Sequence, residues 1–286
     1  MRGSLMGLAA FGAGWVCMAW TGAAGAEPVR VMTFNIRYNT PADGDNRWDA
    51  RRDLAIKTIA DYRPDVLGVQ EALRDQVDAL TLALPGYACV GVGREADGGG
   101  EYSPLLLRMR RFDVMAAGTI WLSDTPDVPG SRTWGNTLPR ICTWARVLDR
   151  ATGRRVALFN THWDHQSQPA REGSGRLIAE RVAQLAAAGE PAIVVGDFNA
   201  APDNPAIRLL TRQGALLTDT YGVLYPDDAA GTFHGFTGTP LTGKIDGVFV
   251  SKGWSTREAA IVRVEHQGRR PSDHFPVTAV VELAAE

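Results

Sequence analysis

Short runs of apolar, β-branched residues recur along the chain, and several end on an acid, an amide or a histidine. Residues 29–35 form the first run and read as a strand. Residues 47–62 read as a helix, with Asp45 and Asn46 as cap candidates before it and Pro64 stopping it behind. Residues 66–69 form a buried-type strand ending in Gln70-Glu71. Leu73, Val77, Leu80 and Leu84 fall at i, i+4, i+7 and i+11, which predicts a second helix with one apolar face. Strands follow at 87–92, 104–109 and 112–122. Residues 140–148 and 155–161 are two more, joined at Thr152-Gly153 as a hairpin. Ile178, Val182 and Leu185 mark a third helix, and 192–195 is a fully apolar strand running into Gly196-Asp197. A short fourth helix follows Asp203 and Pro205, and strands at 245–250, 259–264 and 275–283 complete the pattern.

So many strands with three to four helices predict an α/β fold in which two sheets pack face to face with helices outside. No repeat and no low-complexity linker divides residues 27–286, which are expected to form one domain. Residues 1–26 follow a different pattern. Arg2 precedes an apolar stretch from about position 5 to 20, and Ala24-Gly25-Ala26 has the A-x-A form that signal peptidases cut. A cleaved signal and a secreted or periplasmic mature chain are expected. A retained anchor is the alternative, because the apolar run approaches spanning length.

Composition excludes some functions. The chain is 45% hydrophobic and 22% charged, which is globular rather than disordered or collagenous. Lys plus Arg is 30 against 32 Asp plus Glu, a net charge of −2, so a protein that coats nucleic acid is excluded. Apart from Lys57, Lys244 and Lys252 the basic residues are Arg, which suits bidentate contacts with carboxylate or phosphate. Export would leave Cys89 and Cys142. A bridge between them would contribute about 4 kcal/mol in the chain-entropy model, and two buried thiols on strands are the other reading.

The chemistry lies in what the strands deliver. Asn35 ends the first and Glu71 the second; His162 and Asp164 follow Thr161; Asp197 and Asn199 follow Val195; Asp246 follows Ile245; Asp273 and His274 precede the last strand. Singly, each reads as a turn, a cap or a solvated acid. Side by side they would converge on one rim, and several buried carboxylates there repel one another unless a cation joins them. Oxygen donors without Cys, and with few His, suit Mg²⁺ rather than Zn²⁺, with Mn²⁺ as a substitute.

The ordered set Thr33-Phe34-Asn35, Gln70-Glu71, Asn160-Thr161-His162, Gly196-Asp197-Phe198-Asn199, Ile245-Asp246 and Ser272-Asp273-His274-Phe275-Pro276 resembles the endonuclease/exonuclease/phosphatase superfamily. The resemblance runs from about position 29 to 283. It implies a four-layer α/β/β/α sandwich of the deoxyribonuclease I type, two packed mixed β-sheets flanked by helices. It also implies a metal held mainly by Glu71, with Asn35 nearby and Asp273 direct or through water. Asp197 would orient or deprotonate the attacking water, and Asn199 would hold that water or a phosphate oxygen. His274, steadied by Asp246, and His162 would contact the phosphate. Phosphoryl transfer needs such neutralised oxygens and an oriented nucleophile. One departure stands out: Arg37 occupies the position where some relatives carry a second acid, which leaves one or two metal ions open.

Further segments are similar to a bacterial, exported branch of that superfamily, and they supply candidates for substrate choice. Trp121, Arg132, Trp134 and Arg140 lie in or beside a long loop; Trp134 and Arg140 could stack on and clamp a substrate, or the tryptophans could pack the loop onto the sheet. His234, within Thr232-Phe233-His234-Gly235-Phe236, could reach the site or pack beside its phenylalanines. Glu101 and Tyr102 resemble a cleft-lining position. The expected activity is hydrolysis of a phosphomonoester or phosphodiester by a Mg²⁺-dependent exported monomer without a stable membrane partner. A nuclease on DNA or RNA is the alternative, and a non-catalytic phosphate-ligand binder the alternative of another class. A lipid-head phosphodiesterase would want an exposed apolar hairpin, and none stands out.

Overall fold

Apolar residues on both faces of a strand need cover on both sides, and this requirement sets the architecture. The structure is a computed structural model that describes residues 27–211 and 216–284; the expected signal sequence and its cleavage point lie outside them. In chain order the elements are β1 (Val29–Asn35), a 3-10 segment (Pro41–Asn46), α1 (Trp48–Tyr62), β2 (Val66–Gln70), α2 (Arg74–Ala83), β3 (Tyr87–Val90), β4 (Leu105–Arg108), β5 (Phe112–Trp121) and β6 (Ile141–Asp149). They continue with β7 (Arg154–His162), α3 (Gln168–Ala187), β8 (Ala192–Asp197), α4 (Pro205–Thr211), β9 (Leu217–Asp219), α5 (Thr220–Leu224), β10 (Asp246–Ser251), β11 (Trp254–Ile261) and β12 (Val277–Leu283). One six-stranded sheet has the order β11-β12-β1-β2-β4-β3, the other β5-β6-β7-β8-β10-β9. Both are mixed, and helices flank the pair, which is the expected α/β/β/α sandwich.

Side chains alternate along each strand with a period of two. Val29, Val31, Val66, Leu158, Ile193, Val195 and Val248 meet between the sheets. From the same strands, Met32, Phe34 and Leu67 turn outward to Ile59 of α1 and Leu80 of α2. Phe159, Val194 and Phe249 turn outward to Ile178 and Val182 of α3. Three apolar interfaces therefore separate four layers.

Several boundaries differ from expectation for local reasons. Asp45 and Asn46 do not cap α1; they belong to the 3-10 segment, and the N-cap is Arg47, with no side-chain hydrogen bond. The third helix begins well before Ile178: Ser167 Oγ accepts from Ala170 N, and Gly173 and Gly175 inside it hide the apolar period. β9 and α5 are too short to carry a period. Cys89 on β3 and Cys142 on β6 lie in different sheets and are free thiols. Burial pushes the Cys142 thiol up to about 12. Among the described residues no helix is long and apolar enough to cross a membrane.

Strand register places the polar ends. In one sheet His162 pairs with Asp197, and Asp197 with Asp246, so three neighbouring strands β7, β8 and β10 present one row. In the other, Asn35 pairs with Gln70, just before Glu71. A buried amide layer joins the sheets beneath this rim. Gln70 Nε2 donates to Asn160 Oδ1 at 2.6 Å and to Thr33 Oγ1 at 3.0 Å, while Asn160 Nδ2 donates to the carbonyls of Val69 and Pro104, both at 2.8 Å. Gly68 lets the sheets approach here, since a Cβ would overlap Val195 and Asn160.

Candidate active site

The rim opens into a cavity of about 890 Å³. Asp197 is its hub. Buried at the end of β8, it accepts from Asn35 Nδ2 at 3.0 Å and from the backbone N–H of Asn199 at 2.9 Å. His162 Nε2 stands 3.6 Å from its Oδ2, and His274 Nε2 stands 3.9 Å from the same atom. Glu71, His162 and Asp197 offer ligand atoms within 4.8 Å of one another, as do Asp197, Asp246 and His274. The two groups share Asp197, which brings Glu71 and His274 close enough to act on one substrate.

Backbone strain aims these groups. Arg37, Glu71 and Asn199 all have positive φ (55°, 63° and 46°), a costly region for residues with a Cβ. Each directly follows, or lies two residues beyond, a strand end, where the left-handed turn directs the side chain back over the rim. The surrounding bonds hold it: Arg51, fully buried, donates to the carbonyls of Ile36, Arg37 and Pro271, and Gln76 Nε2 donates to Arg37 O at 2.9 Å.

The two imidazoles are in opposite states. His274 Nδ1 lies 2.9 Å from Asp246 Oδ2. Burial disfavours its cation, but Asp246, Asp197 and Asp273 outweigh that and raise its pKa well above the ordinary value. His162 is held well below it by burial and by the charges of Arg140 and Arg94. Burial and the neighbouring Asp246 push Asp197 up to about 7, against the pull of His274, Asn199 and Asn35. A carboxylate near neutrality can take a proton from water. Burial and Glu71 likewise push Glu101 up to about 7, against Arg94 and Arg140.

The donor set fits a hard divalent ion: the cluster is rich in carboxylate oxygens, includes no Cys, and concentrates negative charge that a cation would relieve. Asn35 Nδ2 donates to Glu71 Oε1 at 2.9 Å and to Asp197 Oδ2 at 3.0 Å, and its Oδ1 accepts from Arg37 N at 2.9 Å, so Asn35 ties both carboxylates to the end of β1.

Residues 32–274 match the endonuclease/exonuclease/phosphatase family. The chain belongs to this family. Its members hydrolyse phosphoester bonds with divalent metal ions, and the chain is a hydrolase of that class. The family match, not the site residues alone, sets the non-catalytic reading aside. A solved family protein from Bacteroides vulgatus is 35% identical with a TM-score of 0.82, covering 90% of this chain and all of that one (100%). A mannosyl-6-phosphatase from Bacteroides thetaiotaomicron is 31% identical with a TM-score of 0.80, covering 88% and 99%. Nocturnin from Mus musculus is 24% identical, covering 87% of this chain; the chain spans 63% of nocturnin's length.

The family cavity gathers most of the sequence candidates: Glu71, Arg140, His162, Asp197, Asn199, Asp273 and His274 line it, with Asn35 and Asp246 directly behind. Asn199 Nδ2 donates to Trp163 O at 3.0 Å, which fixes the loop after β8. Tyr102, Trp121, Arg132, Trp134 and His234 are not on the cavity wall. Trp134 lies on α3, where Gly173 leaves room for its ring, and its Nε1 donates to Asp124 at 2.7 Å. His234 is buried with its ring 4.1 Å from that of Phe275. Tyr102 bridges Ala72 and Gly93 by its backbone and packs among the residues outside the first sheet. Trp121 is buried, its Nε1 donating to Arg94 O at 2.6 Å. Arg94, His165, Tyr38, Phe233 and Phe236 line the cavity and were not singled out for it by the sequence; loop residues carry no period that would mark them.

Proposed function

We propose that the chain is an exported, Mg²⁺-dependent phosphoesterase that removes or cleaves a phosphate ester on a small phosphorylated molecule. The observation that carries this reading is Asp197, a buried carboxylate that burial and Asp246 push up to about 7 and that is shared by two groups, one with Glu71 and His162, the other with Asp246 and His274. Glu71 would hold the ion, with Asp273 direct or through water and Asn35 orienting Glu71. When bound, the ion supplies charge neutralisation for the phosphate and for the developing charge on its oxygens. Asp197 orients the attacking water and accepts its proton. His274, charged and anchored on Asp246, and neutral His162 donate hydrogen bonds to phosphate oxygens as charge accumulates. Asn199 steadies the loop that presents Asp197 and can meet a phosphate oxygen.

A monoester substrate is supported by the likeness to the mannosyl-6-phosphatase and by the overall acidic balance. A nucleotide or nucleic-acid end is the second reading, favoured by Tyr38, Phe233 and Phe236 on the wall, where a base could stack. We also propose export through residues 1–26, a single catalytic domain over 27–286, and action as a monomer; mass spectrometry of the mature N-terminus tests the first. The function itself is tested on a panel of sugar phosphates, nucleotides, DNA and RNA, with Mg²⁺ or Mn²⁺ and with chelator. Metal-dependent turnover of one class is expected; turnover unchanged by chelator, or none by folded protein, contradicts the proposal.

A further inference from the structure

Arg37 lines the cavity, is firmly anchored, and has no part in the chemistry above. Its guanidinium is clamped by Asp43, with Nη2 3.0 Å from Oδ1 and Nε 3.1 Å from Oδ2. From that anchor it faces two more carboxylates: Nη1 stands 3.8 Å from Glu71 Oε2, and Nε stands 3.9 Å from Asp273 Oδ2. The group also lies over the Tyr38 ring, 4.3 Å from its centroid. The backbone is fixed as firmly. With φ at 55°, residue 37 donates its N–H to Asn35 Oδ1 at 2.9 Å, and its carbonyl takes Arg51 Nη2 at 2.7 Å and Gln76 Nε2 at 2.9 Å. Only one of its three acidic neighbours, Asp43, is within hydrogen-bonding reach. At 3.8 and 3.9 Å the contacts with Glu71 and Asp273 are loose ion pairs without a hydrogen bond.

We propose that Arg37 is a resident cation of the metal pocket: its fixed charge stands between Glu71 and Asp273, limiting the pocket to one ion and moderating its affinity. The inference rests on the metal pocket proposed above. A fixed positive charge a few ångströms from the ion's ligands repels the ion, and in a partly buried site that repulsion is poorly screened. It also keeps Glu71 and Asp273 from repelling each other when no ion is bound. Asp43 tunes the effect, because it neutralises part of the guanidinium charge and holds it off Glu71. Arg37 is thus a positioning residue that acts through the ion's ligands.

The test is Mn²⁺ binding by isothermal titration calorimetry to the full mature protein, with bound ions counted by electron paramagnetic resonance. Wild type, Arg37→Gln, Asp43→Asn and Glu71→Gln are compared, with near-UV circular dichroism confirming the fold of each. One ion in wild type is expected. Arg37→Gln should bind Mn²⁺ about tenfold more tightly, the direction set by removing a like charge. Asp43→Asn, which leaves the guanidinium uncompensated, should bind it several-fold more weakly; this variant decides the matter if Arg37→Gln fails to fold. Two ions in wild type, equal or weaker binding by Arg37→Gln, or equal or tighter binding by Asp43→Asn overturns the inference. Wild-type affinity in Glu71→Gln overturns the metal pocket itself, whatever Arg37 does.

Discussion

His274, in the segment before β12, and Asp246, the first residue of β10, meet at 2.9 Å, imidazole Nδ1 to carboxylate Oδ2, with both side chains buried. Nδ1 is thereby committed to Asp246, and Nε2 is left facing Asp197 and the cavity. Asp246→Asn should remove the charge that raises His274, bring its pKa down, and lower kcat by roughly 10²-fold or more. The folded pKa is raised, so the pair's stabilising contribution is complete below the ordinary histidine value of about 6.5 and is lost as pH rises through the folded value. The variant should lack this alkaline loss. Imidazole NMR titration and thermal unfolding across alkaline pH check both parts.

His234 behaves in the opposite sense. Burial, with His274 and Arg270 nearby, lowers its pKa to about 4. The unfolded chain therefore binds a proton between about 6.5 and 4 that the folded chain refuses, and stability falls as pH drops through that window. His234→Gln should flatten the fall in Tm between neutral and mildly acidic pH. An unchanged slope, measured by calorimetry, would remove His234 as its source.

Gly68 sits where the facing sheet leaves no room for a Cβ. Gly68→Ala would drive a Cβ into Val195 and Asn160 and should cost about 1–3 kcal/mol in urea unfolding. Val195→Ala in the same chain should recover part of the loss, because the two side chains compete for one space. Additive losses would mean that the clash is relieved elsewhere.

Asn160 ties the sheets together under the site. Asn160→Ala would leave the carbonyls of Val69 and Pro104 and the amide of Gln70 without this partner, at a cost of about 3 kcal/mol. Activity should fall with stability, since Gln70 directly precedes Glu71. Urea unfolding and kcat/KM measured on the same preparation test the link.

The layers were legible because a strand buried on both faces must be apolar throughout, and the runs around Val31, Val66 and Val194 met that condition. The site was legible because register aligns strand ends: His162, Asp197 and Asp246 needed only neighbouring strands to become a row. What escaped depends on space left by residues distant in sequence. Trp134 could stack on a substrate or pack its loop, and the ring settles where Gly173 offers no side chain. Arg94 and His165 reach the cavity from loops, and only the fold brings Arg94 Nη1 to Glu101 at 2.6 Å and His165 to Arg140 at 2.8 Å. Asn35 lies at the end of β1, its Nδ2 donating to Glu71 and its Oδ1 accepting from Arg37 N.

The most direct measurement is hydrolysis of nitrophenyl phosphate and its diester analogue with saturating Mg²⁺ by wild type and Asp197→Asn. The substitution keeps the shape of the side chain but removes the charge that takes the proton, and its amide nitrogen can no longer accept one of the two hydrogen bonds that Asn35 Nδ2 and Asn199 N donate to Asp197. A fall in kcat of roughly 10³-fold or more, with Mg²⁺ still bound and the fold intact, is the expected result. Wild-type turnover by Asp197→Asn contradicts the assignment of Asp197 as the centre of the site.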